Sequence, residues 1–138
     1  MATQVHFVGS IGLDNVEDIF RTVGGALRSR LPRCPDGEVG GRRLWITWQW
    51  PPLRSSPWLQ ADDTLLIRGL GVCKLRLRSD VDAMALEFGE LGYAREARTS
   101  YADFLAARQR GTLASDTRFQ VSLPTPYAVI QAFTVAED

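Results

Sequence analysis

Val5-His6-Phe7-Val8-Gly9-Ser10, followed by the stretch from Asp14 to Leu27, decides how this chain is read. Val5–Val8 is a short apolar run bounded by Gly9, the pattern of a buried strand. Residues 10–13 turn, and Val16, Ile19, Phe20, Val23 and Leu27 then recur at helical spacing, which gives one apolar face. Asp14 is placed to cap that helix, with Glu17 three residues later in capping-box relation. The pattern carries the helix to about Arg30, through Gly24 and Gly25, and Pro32 stops it. Strand, tight loop and amphipathic helix together open a β/α unit.

Beyond this unit the chain keeps alternating. Residues 32–41 are turn-rich, with a short strand expected over Arg33–Pro35. Arg42–Trp50 fits two periods: a helix groups Trp45, Trp48 and Gln49, whereas a strand alternates Leu44, Ile46, Trp48 and Trp50. Pro51, Pro52 and Pro57 are expected to end it. Thr64–Arg78 reads as a β-hairpin turning near Gly69 and Gly71, with Cys73, Leu75 and Leu77 alternating with Lys74, Arg76 and Arg78. Asp80–Gly89 is a loop or short helix. Tyr93–Gln109 is a second clear helix, with Ala94, Ala97, Tyr101, Phe104 and Leu105 on its apolar face and Gly111 closing it. Phe119–Leu123 reads as a strand broken by Pro124 and Pro126, and Tyr127–Phe133 begins a third helix. No internal repeat interrupts this order.

Composition bounds the classes of function. The chain has 138 residues, of which 45% are hydrophobic and 23% charged, as expected for one folded domain spanning 1–138 and not for a disordered chain. No run approaches the ~18 apolar residues of a membrane span, and the N-terminus lacks the pattern of a secretory signal. A cytoplasmic protein is expected, with Cys34 and Cys73 as reduced thiols. The formal net charge is +0, which argues against nucleic-acid binding driven by bulk charge. His6, Cys34 and Cys73 lack metal-ligand spacing, so neither a metal nor a cofactor is expected. Fifteen of the 16 basic residues are arginine, the better bidentate partner for anions. Trp45, Trp48, Trp50 and Trp58 fall within fourteen residues, a grouping that suits a local aromatic core, a subunit contact or a pocket wall.

Three segments follow expected strands: Gly9-Ser10, Pro35-Asp36-Gly37-Glu38 and Pro124-Thr125-Pro126. In a β/α barrel these are the positions where chemistry sits. His6-Phe7-Val8-Gly9-Ser10, Pro35–Glu38 with Gly41-Arg42-Arg43 and Trp45-Ile46, and Arg118–Pro126 resemble the opening of the cobalamin-independent methionine synthase-like superfamily, which also includes uroporphyrinogen decarboxylase. The resemblance is to an uncharacterised full-barrel branch and is dispersed over most of the chain. It implies an α/β chain forming a partial (β/α) barrel, a half-barrel of about three to four β/α units with an inserted β-hairpin. The family barrel is more than twice as long, and its zinc ligands belong to the other half, so methyl transfer by this chain alone is not expected.

In methionine synthases the loops after the first two strands help to hold the amino-acid substrate homocysteine. By resemblance, Gly9, Ser10 and Glu38 form a corner for a carboxylate and an ammonium group, chemistry suited to backbone N–H groups, a hydroxyl and a carboxylate. Glu38 and Asp36 are the candidate acid/base pair, since burial and a neighbouring carboxylate raise a carboxyl pKa. Arg42 and Arg43 are candidates to orient Glu38 or meet an anion, and Trp45 and Trp48 to wall the site. The bland alternative for Gly9-Ser10 and Asp36-Gly37 is a pair of ordinary turns. The expected function is a metal-free enzyme, or part of one, acting on a small polar metabolite. The competing readings are a non-catalytic module that binds a ligand or completes a partner, and an N-terminal piece of a longer enzyme. Bare parallel strand edges further imply a homodimer or a complementary chain.

Overall fold

Arg33–Pro35 (β1) and Arg118–Gln120 (β4) pair in parallel in the computed structural model, which describes residues 11–35, 39, 46–67, 72–123 and 125. The elements between and before them are α1 (Val16–Gly24), α2 (Ile46–Arg54), β2 (Leu59–Ile67), β3 (Val72–Leu77), a 3₁₀ turn at Ala83–Ala85, and α3 (Tyr93–Gln109). Mixed helices and strands make this an α/β chain. It divides into two compact units, Met1–Trp45 with Tyr93–Leu123, and Ile46–Gly92 with Pro124–Asp138. The expected first strand at Val5–Val8 and third helix at Tyr127–Phe133 lie outside the described residues.

In the first unit, parallel pairing requires a crossover, and α3 supplies its return to β4. Phe104 of α3 meets Phe119 of β4 with ring centroids 5.3 Å apart, and Tyr101 meets Phe119 at 5.4 Å. Cys34 is aligned with Phe119 and fully buried. Ile19, Phe20 and Val23 of α1 join Cys34, Phe104, Ala107 and Leu113 in one core. The buried face of α3 carries Ser100, Phe104 and Ala107, while Tyr101 and Leu105 remain exposed. The apolar stripe read from the sequence is therefore rotated by about one residue, roughly 100°, because small residues let α3 approach its neighbours.

Two helix ends differ from the sequence reading. Asn15, not Asp14, caps α1: its side chain accepts a hydrogen bond from the Asp18 backbone N–H at 3.0 Å and donates to the Asp18 carboxylate at 2.7 Å. The helix then stops at Gly24, and the chain reaches Leu31 through a series of turns. Two adjacent glycines remove the propensity that would carry it to Arg30. The end of α3 follows the sequence: Gly111 has φ +74°, the Gly111 N–H donates to the Arg108 carbonyl, and the Thr112 N–H donates to the Ala107 carbonyl, a Schellman closure.

The second unit is built on a hairpin. β2 and β3 pair antiparallel, from Leu59↔Leu77 to Ile67↔Val72, with an irregularity between Asp62 and Leu66. Leu53, Leu59 and Leu75 form its core, and Trp50, Leu77 and Leu91 pack against it. The ambiguous segment is helical from Ile46, and Pro51 and Pro52 lie inside that helix instead of ending it. Each proline removes one N–H from the ladder. The helix nevertheless closes its last turn by the Ser55 N–H donating to the Pro51 carbonyl, and Leu53 anchors it with 1% exposure.

Candidate functional site

Two edges of the β1–β4 pair have different chemistry. Pro35 and Gln120 are register partners at the C-terminal edge. Pro35 is buried, and so is Val39, at 4% exposure within the same core as Cys34. Asp36, Gly37 and Glu38 thus lie in sequence between two buried anchors. The candidates Gly9, Ser10, Asp36, Glu38, Arg42, Arg43 and Trp45 themselves lie outside the described residues. Trp48 is half-buried on α2.

The remaining tryptophans separate by environment. Trp50 packs against the core of the second unit, and its buried indole N–H has no hydrogen-bond partner among the described residues. Trp58 is exposed. Cys34 is buried and Cys73 half-buried. Among the described residues no group of three or more His, Cys, Asp or Glu side chains is placed to hold a metal. Among the same residues no helix is long and apolar enough to cross a membrane.

The N-terminal edge opens into a cleft of about 520 Å³. One wall is the turn segment between α1 and β1, with Arg28, Ser29 and Pro32; the other is the segment between α3 and β4, with Asp116 and Thr117. The two walls are joined where the Arg118 N–H donates to the Pro32 carbonyl at 3.0 Å. Arg33 and Arg118, the next residues along each strand, are exposed and directly in register. This site was not read from the sequence. Its walls come from distant segments, and only the parallel pairing brings them together.

A second group missed by the sequence reading lies on α3. Tyr93, Glu96, Ser100 and Asp103 follow i, i+3, i+7 and i+10 spacing on its inward side, and each is engaged by a neighbour. Burial pushes the Tyr93 hydroxyl up from 10.0 to about 12. Their signal in the sequence is the helical spacing of four polar residues, which lies outside the apolar stripe. Comparison of the chain with protein-family models, curated proteins and solved structures finds no match.

Proposed function

We propose that this chain is an enzyme, or an enzyme part, of the methionine synthase-like type, a partial (β/α) barrel that binds a small polar metabolite at the C-terminal edge of β1 and β4. The observation that carries this reading is the parallel register Pro35↔Gln120, which sends the chain out of both strands at one edge. Ligand groups in parallel α/β folds gather at that edge. Pro35 and Val39, on either side of Asp36–Glu38 in sequence, are both buried. In this reading Glu38 meets an ammonium group or transfers a proton with Asp36, and Gly9 and Ser10 meet a carboxylate. Arg42 and Arg43 supply positive charge beside them. No metal takes part.

The test compares wild type with Glu38→Gln, using L-homocysteine and L-methionine as probes in calorimetry, beside thermal melts. The substitution keeps size and removes charge. The expected result is an unchanged melt and a loss of ~2–4 kcal/mol in binding, the scale for truncating one side of a hydrogen-bonded charge pair. A large loss of stability with unchanged binding removes Glu38 from the site.

One observation favours a second reading, a non-catalytic module that completes a partner chain. Val121 and Leu123, directly after β4, are exposed together with Tyr101 of α3. Light scattering on the purified chain tests it, with a dimer or a captured complementary chain as the supporting result and a monodisperse monomer as the opposing one.

A further inference from the structure

The cleft before β1 and β4 carries one side-chain charge of each sign. Arg28 lines it from the segment between α1 and β1, and Asp116 from the segment between α3 and β4. Both side chains are exposed, and neither has a hydrogen-bond or ion-pair partner among the described residues, each other included. The segments that carry them are braced. The Arg28 N–H donates to the Gly25 carbonyl at 3.2 Å, and the Thr117 N–H to the Ala114 carbonyl at 3.1 Å. The Arg118 N–H ties the second segment to the Pro32 carbonyl at 3.0 Å, and the Arg108 guanidinium donates to the Ser115 carbonyl at 2.6 Å. The lining also includes apolar surface from buried Leu31 and half-buried Ala114. At about 520 Å³ the cleft has the size of a small-metabolite site.

We infer that this cleft binds a small zwitterion whose carboxylate and ammonium groups are joined by an aliphatic chain, the carboxylate meeting Arg28 and the ammonium meeting Asp116. Arginine offers a carboxylate two parallel N–H donors, and an ionised carboxylate accepts from an ammonium group. Methylenes between the two ends cover Leu31 and Ala114 and gain by leaving water. The same charges also exclude competitors. Asp116 repels a plain anion and Arg28 a plain cation, so a zwitterion is the class that meets no like charge. One exposed contact is weak. A ligand that reaches both ends, however, engages the second without losing its translational freedom again. The inference concerns the opposite edge of the strands from Glu38 and does not rest on the role given to that residue.

The experiment titrates the whole chain with γ-aminobutyrate and with ε-aminocaproate at low ionic strength, followed by amide NMR. The controls are butyrate, butylamine, hexanoate and hexylamine, which match the probes in length and carry one charge each. Saturable shifts are expected at the Ser29 and Thr117 amides, with at least one zwitterion binding ~5-fold more tightly than either of its controls, the upper range for one exposed ion pair. Arg28→Gln and Asp116→Asn should each weaken that binding by the same ~5-fold factor. Arg28→Lys, which keeps the charge, should retain part of what Arg28→Gln loses. Arg54→Gln, in the second unit, should leave binding unchanged. Every substitution replaces an exposed side chain, and circular dichroism checks that each variant is folded. No saturation by either zwitterion, or controls that bind as tightly as the zwitterions, would overturn the inference. Tighter binding in Asp116→Asn would overturn it too, because that result belongs to a site for anions alone.

Discussion

Gly24 lies against the backbone of Thr112: a Cβ built on Gly24 overlaps the Thr112 carbonyl oxygen. This contact explains why α1 ends in a glycine although its preceding residues continue a helical pattern. It also fixes α1 against the turn that closes α3, where Glu17 and Arg110 form an ion pair at 2.7 Å. That pair is substantially exposed and adds little by itself. The close backbone approach is the more demanding constraint, because a carbonyl cannot step aside as a side chain can.

Gly24→Ala is therefore expected to destabilise the protein by ~1–3 kcal/mol, the range for forcing added volume into packed structure. Helix propensity alone predicts the opposite sign, a gain of up to ~1 kcal/mol. Urea unfolding distinguishes them, and a midpoint equal to or above wild type would show that the two backbones do not approach this closely.

Gly111 gives a contrasting case. Its φ of +74° is in the left-handed region, yet a Cβ there meets nothing within 4 Å. Strain without collision predicts that Gly111→Ala costs about 1–2 kcal/mol, and that Gly111→Asn costs less, because asparagine tolerates this conformation. Chemical unfolding of both variants checks the order; an alanine variant as stable as wild type would place the closure of α3 elsewhere.

The contrast between these glycines shows what the sequence makes legible. Gly111 follows a long periodic helix, and its capping role is a local matter of backbone conformation. The strand Arg33–Pro35, the pairing of β2 with β3 and the bounds of α3 are legible for the same reason: alternation, turn residues and helical period act over short distances, although β2 begins at Leu59 instead of the expected Thr64 and β4 ends at Gln120 instead of Leu123. The role of Gly24 depends on Thr112, and no local pattern carries that information. Pro51 and Pro52 mislead similarly, since burial of Leu53 holds α2 where propensity would end it. At the site, Asp36 and Glu38 attract attention because they follow a strand. The cleft before β1 and β4 requires knowing that the two strands are neighbours and run in parallel.

Tyr93 provides a test by pH. Its folded pKa is raised from 10.0 to about 12 by burial. The unfolded chain therefore releases this proton first, and Tyr93 contributes stability that is present below pH 10.0 and falls as pH rises toward about 12. Tyr93 is half-buried, so the direction is the prediction. Tyr93→Phe should flatten the decline of stability across that window relative to wild type. Parallel curves for the two proteins would assign the decline to other groups.

Trp50→Phe tests the buried indole N–H of the second unit. The Trp50 N–H is buried against the Leu53–Leu59–Leu75 core with no acceptor among the described residues. Leaving a buried donor unsatisfied costs ~1–3 kcal/mol. Phenylalanine removes that donor while keeping an aromatic ring on the same leucines, and the smaller ring gives back part of the gain as lost packing. The two effects oppose each other, so the isolated chain should lose no more than ~1 kcal/mol and has room to gain. A conventional satisfied tryptophan would behave differently, losing its hydrogen bond and its packing together. Thermal and urea unfolding of dilute protein, where any self-association is minimal, provide the comparison. A loss well beyond ~2 kcal/mol would show that the indole N–H is engaged in the folded chain, and the second unit would then owe its stability to a polar contact as well as to its leucines.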